Sequence, residues 1–263
     1  MTKQQITEAI QACNERGDKA FVPYIMAGDG GIETLKETIL FLQKVGVTAI
    51  ELGIPFSDPV ADGAIIQEAG ERALAEGVTL RLVVETVASF KDEVTVPIIL
   101  MTYLNPIIQY GIEEFAEDCR NGGISGLIIP DLPYEEVDLV RDAMTNEDIA
   151  LIPLVSLTSP PDRIEKITAA GEGFIYAVTV NGITGVRDGF EGQLEEHLKR
   201  LKAVSSVPVL AGFGISTPDQ VALIGSFADG VIVGSAIVTA LHKGDFKTVE
   251  KLVNASKNKV PSI

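Results

Sequence analysis

The chain is 263 residues long, 46% hydrophobic and 22% charged, and carries a formal net charge of -16. That size and apolar content suit one large domain or two small ones with a sizeable core. The acidity argues against partners that demand a basic face, nucleic-acid backbones and anionic membrane surfaces, but not against a small anion bound by backbone N–H groups at a helix start.

The first stretch, MTKQQITEAIQACNERGDK, is polar and helix-patterned rather than a signal peptide, and no apolar run reaches transmembrane length. A cytoplasmic enzyme is therefore expected. Beyond it, eight short apolar runs alternate with amphipathic stretches: 20–28, 48–55, 96–103, 126–131, 149–156, 173–180, 207–214 and 229–237. Continuous apolar runs of this length, without strict alternation, are what strands buried on both faces look like. Helical patterns fall between them, at 31–46, 80–91, 112–123, 134–144, 161–171, 194–204 and 218–228. Thr217-Pro218-Asp219 and Ser159-Pro160-Pro161 read as helix starts, and Gly46, Gly122 and Gly171 as stops.

Strict strand–helix alternation with eight strands predicts a single (β/α)8 TIM barrel over residues 1–263, with an extra N-terminal helix. A doubly wound open sheet is the weaker alternative, because Gly28, Gly30 and Gly31 lack the dinucleotide-binding spacing. Cys13 and Cys119 fall in helical stretches without CxxC spacing, which predicts buried thiols rather than a disulfide or a zinc site. The only histidines, His197 and His242, also fall in helical stretches. Carboxylates are therefore the acid–base chemistry on offer.

Two long connections follow strands, at 56–65 and 181–192, where barrels place chemistry and lids. The first belongs to the run ELGIPFSDPVADG. Glu51 stands near the end of an otherwise apolar strand, Asp62 stands eleven residues on, and Asp58 lies between them. A carboxyl group in an apolar wall is costly to ionise, which raises its pKa and makes it a usable acid or base. Asp58, before Pro59, reads as a turn residue or a contact at the barrel rim.

Gly212-Phe213-Gly214 closes the seventh run, and Gly234-Ser235 lies in the eighth. Loops at these two strands commonly hold phosphate in barrels, through exposed N–H groups and a hydroxyl such as that of Ser235. Gly185, after the sixth run, supplies a third candidate donor. Tyr24, Leu100, Met101, Tyr176 and Phe213 are read as an apolar and aromatic lining that suits a flat aromatic substrate with a phosphate at one end. Asn105 and Asp131 add polar groups at the same face.

FVPYIMAGD near the start, PFSDPVADG after ELGI, then GITG, GFGIS and GSAIV closely resemble the tryptophan synthase alpha chain family along the whole length. The resemblance implies retro-aldol cleavage of indole-3-glycerol phosphate to indole and glyceraldehyde 3-phosphate. It implies that Glu51 is the general acid/base and that Asp62 hydrogen-bonds the indole N–H. It implies that Tyr176 lies near the reacting atoms, and that Thr184 sits in a mobile loop that closes over the substrate and helps orient Asp62. Gly185, Gly214, Gly234 and Ser235 would hold the phosphate, and Tyr24, Met101 and Phe213 would line the indole pocket. It further implies an alpha2beta2 complex with a beta chain that carries pyridoxal phosphate, with no cofactor in this chain. The sequence departs from the family's pattern at Ala64 and Ile65, where Pro and a small polar or β-branched residue are commoner, at Tyr24 for phenylalanine and at Met101 for leucine. A stand-alone lyase and a non-catalytic activating subunit are the alternative readings.

Overall fold

A computed structural model describes residues 2–156, 158–178, 190–212 and 214–257. Nine parallel strand segments form one sheet: β1 (Ala20–Met26), β2 (Ile50–Gly53), β3 (Ile98–Met101), β4 (Ile124–Ile128), β5 (Ala150–Leu151), β6 (Leu154–Ser156), β7 (Ile175–Val178), β8 (Val209–Gly212) and β9 (Gly230–Val233). Their order is β5-β4-β3-β2-β1-β9-β8-β7-β6. The two ends of that order, β5 and β6, are halves of one run, so the ring closes through the chain itself.

The fifth of the eight expected strands is thus present in two pieces, and Pro153 is the reason. Proline has no N–H to give to a ladder. The first half bonds outward to β4, where Ile152 N–H donates to Leu127 O at 3.0 Å, and the second half accepts from β7, where Tyr176 N–H donates to Pro153 O at 3.0 Å. The expected eight-stranded TIM barrel is the architecture observed.

Parallel register sets which residues face the ring's interior. Tyr24, Glu51, Ile99, Gly126 and Ala150 are successive partners on one rung. Met26, Gly53, Met101 and Ile128 form the rung above it. Between β3 and β4 the register slips by one residue, so that Ile98 pairs Ile124 while Ile99 pairs Gly126. Leu100 pairs with Leu52 and Leu127 instead. Adjacent residues of a strand point to opposite faces, so Leu100 packs under the helices and does not line the interior, contrary to the sequence expectation.

The N-terminal helix Gln4–Glu15 buries Ile6, Ile10 and Cys13. It lies across the amino ends of the strands: Thr7 Oγ1 donates to Gly173 O at 2.7 Å, and Lys3 N–H to Asp148 O at 3.0 Å. Cys119 is buried on the helix Ile112–Asn121, so both cysteines are buried thiols. Gly46 ends the helix Leu35–Val45 in a left-handed turn, φ 86°, where its amide reaches two carbonyls of the last turn. The remaining helices cover the outside of the ring, and none of the described helices is long and apolar enough to cross a membrane.

Candidate active site

Glu51 is the structural anomaly of the ring's interior. It is 1% exposed, and neither carboxylate oxygen has a hydrogen-bond partner among the described residues. Ile99 flanks it on one side of its rung and Tyr24 on the other. Burial pushes its pKa from 4.5 to about 8, with a smaller push from the charge of Asp62. At neutral pH this carboxyl group is mostly protonated.

Asp62 follows at the end of the connection after β2. Its pKa rises to about 6, again through burial, opposed by a hydrogen bond from the Tyr103 hydroxyl. The two acids therefore ionise in different ranges: at neutral pH Asp62 is mostly charged and Glu51 mostly neutral. A third group, Tyr103, was not singled out in the sequence. Its hydroxyl accepts from Ala61 N–H at 3.0 Å, and its ring stacks on Phe56 with centroids 5.1 Å apart. Tyr103 thus pins the connection on both sides of Ala61. Its signal was present in the sequence: it stands two residues after Met101, so strand alternation carries it to the same face.

The connection itself is shorter than expected, because Ala64 and Ile65 already open the helix Ala64–Ala75. Asp58 makes a local turn, its carbonyl accepting from Val60 N–H at 2.9 Å and its carboxylate from Ser57 Oγ at 2.6 Å. Pro55 is buried, whereas Val60 is 82% exposed. Asp131 caps a neighbouring element: its Oδ1 accepts from Leu104 N–H at 3.0 Å, at the start of the helix Leu104–Tyr110. Asn105 is exposed on that helix.

Two tyrosines reach into the site over glycines. A Cβ added at Gly53 would overlap the Tyr24 phenol oxygen, and one at Gly212 would lie 2.6 Å from the Tyr176 phenol oxygen. Both phenols are held well above the usual range, first by burial and then by the nearby charges of Glu51 and Asp62. Glu51, Asp62, Tyr24 and Tyr176 are therefore gathered in one cluster, with Met101 on the rung above Glu51. His197 lies on the helix Phe190–Val204, where burial lowers its pKa. His242 lies 3.5 Å from Asp29, at the end of the helix Ser235–His242.

At the other side of the mouth, Gly234 caps the helix Ser235–His242, whose first turn holds no acidic residue. The Gly234 carbonyl accepts from Ile237 and Val238 at 2.8 and 3.0 Å, and Ser235 is exposed at the helix start. The helix Pro218–Phe227 is different. Gln220 Oε1 already takes the amides of Ser216 and Thr217 at 2.8 and 3.2 Å, and Asp219 sits in the first turn. Of the glycine loops expected to bind phosphate, the one at Ser235 therefore has the open helix start, while Gly214 adopts a left-handed turn, φ 78°, beside β8. Thr184, Gly185 and Phe213 lie outside the described residues, as does most of the second long connection; residues 190–192 already belong to the helix Phe190–Val204.

The model of the tryptophan synthase alpha chain family matches residues 10–261. The chain belongs to the tryptophan synthase alpha chain family. A tryptophan synthase alpha chain of Bacillus cereus is 49% identical over 252 residues, covering 96% of this chain and 98% of the relative. One from another Bacillus cereus strain is 50% identical over the same shares. Among solved structures, the tryptophan synthase alpha chain of Legionella pneumophila superposes with a TM-score of 0.87 at 34% identity, covering 100% of both chains. A tryptophan synthase structure from Mycobacterium tuberculosis gives 0.86 at 32% identity, over 95% of this chain and 98% of that one. The chain is accordingly a carbon–carbon lyase of tryptophan biosynthesis, which cleaves indole-3-glycerol phosphate to indole and glyceraldehyde 3-phosphate.

Two outcomes follow from the electrostatics. The folded-state pKa of Glu51 lies above its ordinary value of 4.5, so the protonated acid contributes stability fully below 4.5 and loses it as pH rises through about 8. Glu51→Gln should therefore stabilise the fold relative to the parent at pH 9, by on the order of a few kcal/mol, and by much less at pH 5. Urea unfolding at the two pH values measures this, and an equal effect at both contradicts the assignment. Tyr103→Phe keeps the stacked ring but removes the donor to Asp62. The Asp62 titration, followed by carboxyl carbon NMR, should then move upward from about 6.

Proposed function

We propose that Glu51 carries both proton transfers of the cleavage, that Asp62 holds the indole N–H, and that the helix start at Ser235 holds the phosphate. The observation that carries this reading is the split between the two carboxyl groups, one at about 8 and the other at about 6. Two titratable groups whose environments separate their pKa values are suited to different roles in one reaction.

Cleavage of the bond between the indole ring and the glycerol chain needs the ring as an electron sink. A mostly protonated Glu51 delivers its proton to the ring carbon that bears the side chain. Positive charge then develops toward the ring nitrogen, and an ionised Asp62 accepts a hydrogen bond from the N–H and stabilises that charge. Glu51, now an anion in an apolar wall, is a strong base. It takes the proton of the glycerol hydroxyl as the carbon–carbon bond breaks, and the bonding electrons return to the ring. Indole and the aldehyde of glyceraldehyde 3-phosphate result, with Glu51 reprotonated for the next cycle.

Tyr24, Met101 and Tyr176 supply the walls for the flat ring, and Gly234 and Ser235 the amides and hydroxyl for the phosphate. Gly214 approaches the same anion from β8. Gly185 and Phe213, by family likeness, complete the phosphate and indole contacts, and Thr184 the closure over Asp62. No resident cofactor enters these steps. The partner is a tryptophan synthase beta chain in an alpha2beta2 complex, whose pyridoxal phosphate joins the released indole to serine. Its contact face is the rim of the same mouth, where Val60 is 82% and Ile108 51% exposed. The compartment is the cytoplasm.

Glu51→Gln should keep substrate affinity and lose at least about a hundredfold in turnover, the scale of a lost general acid/base. Indole release from indole-3-glycerol phosphate, with and without a beta chain, is the assay, and near-parent turnover would sink the role. Ser235→Asp places a negative charge at the proposed phosphate position. Its KM should rise about tenfold or more while turnover at saturation changes little; an unchanged KM removes the phosphate from this helix start.

A further inference from the structure

Tyr24 brings a hydroxyl into the buried wall that also holds Glu51. It is paired with Glu51 across the β1–β2 ladder, at the spacing of about 4.8 Å between adjacent strands. Its ring runs along the inner face of β2 toward the mouth, and only the missing side chain of Gly53 leaves room for the phenol oxygen there. The ring is thus wedged, and its 6% exposure leaves little room to swing away. Beside this wedged donor lies an acid whose two oxygens have no hydrogen-bond partner among the described residues. A buried acceptor left without a partner is rare in folded proteins, and here the missing donor stands on the adjacent strand.

We propose that Tyr24 is a positioning residue of the same reaction: its hydroxyl donates to the Glu51 carboxylate in the interval when Glu51 is ionised, and releases it when Glu51 is reprotonated. This rests on the acid/base role proposed for Glu51. The step is a hydrogen bond only, and the phenolic proton stays on Tyr24. The hydroxyl is well suited to that, since ionising the phenol beside two carboxyl groups in a buried site is strongly disfavoured. A donor to the charged form stabilises the anion and lowers the pKa of the acid. Tyr24 therefore offsets part of the burial that would otherwise keep Glu51 permanently neutral. The other groups facing Glu51 are Asp62 from the connection after β2, whose charge pushes the acid the opposite way, and Tyr176 from β7, wedged over Gly212. Tyr103, after β3, is committed to Ala61 and Asp62.

Tyr24→Phe tests this with the ring, and so the wedge over Gly53, retained. The titration of Glu51, followed by carboxyl carbon NMR without substrate, should move upward from its position in the parent protein. Turnover should fall about tenfold, the scale of one hydrogen bond to a charged group, with KM little changed. In a Glu51→Gln background the same substitution should cost nothing further, because no anion is left to receive the bond. An unmoved Glu51 titration in Tyr24→Phe overturns the proposal, whatever the activity. A loss that persists in the Glu51→Gln background also overturns it and assigns Tyr24 to ring packing. Full turnover in Glu51→Gln alone would instead strike at the role of Glu51, a failure separable from that of Tyr24.

Discussion

A carboxyl group without a hydrogen-bond partner among the described residues, sealed in the apolar wall of a closed ring, is the constraint on which the site depends. Burying an ionised carboxylate alone is prohibitive, so the group takes a proton instead. That choice fixes much else. The rung that holds Glu51 must be otherwise free of cations, and it is: its partners are Tyr24, Ile99, Gly126 and Ala150. The ring must also be closed, or water would reach the group and return its pKa to the ordinary range. Closure depends on the fifth run serving two neighbours, and Pro153 divides that service between β4 and β7.

The second carboxyl group sits differently. Asp62 lies on a connection rather than on a strand, and its pKa of about 6 leaves it mostly charged at neutral pH beside a mostly neutral Glu51. A connection is a poor place for precise geometry unless it is tied down. Tyr103 ties it from inside through Ala61 and Asp62. From outside, the helix Ala64–Ala75 that follows is tied to the first strand's connection by Arg72, which meets Asp29 with two bonds of 2.7 and 2.9 Å. Asp29 is largely buried, so this pair is less screened than a surface one. The same carboxylate lies 3.5 Å from His242, at the far end of the helix that begins at Ser235. One aspartate outside the site thus links the helix that follows Asp62 to the helix that begins at Ser235.

How far the sequence carries this picture varies with the kind of interaction. Strand–helix alternation is a matter of hydrophobic pattern, and the ring was legible from it. Glu51 was legible for the same reason, since one charge in an apolar run stands out. For Tyr103 alternation with Met101 gives the face but not the role, because a tyrosine at the end of an apolar run looks like any other wall residue until its hydroxyl is seen on Ala61. Leu100 was misread as lining because the strands are apolar on both faces, which erases the period-two signal that separates inside from outside. The two glycine loops read alike in sequence, and only the bonds of Gln220 show that one helix start has already spent its amides on itself.

That difference between the two helix starts bears on how a chain of net charge -16 can take an anionic substrate. The described cluster around Glu51 contains no lysine or arginine, and a cation there would favour the ionised form of Glu51. A phosphate site built from charged side chains would bring that cation within a substrate's length of the acid. Amide dipoles avoid the conflict. The partial positive charge of a helix start falls off within about a turn, so the helix at Ser235 can attract an anion without reaching across the ring to Glu51. Under the proposed roles, neutral donors at one end and a neutral acid at the other are thus one solution to keeping a proton on a buried carboxyl group while binding an anionic ligand beside it.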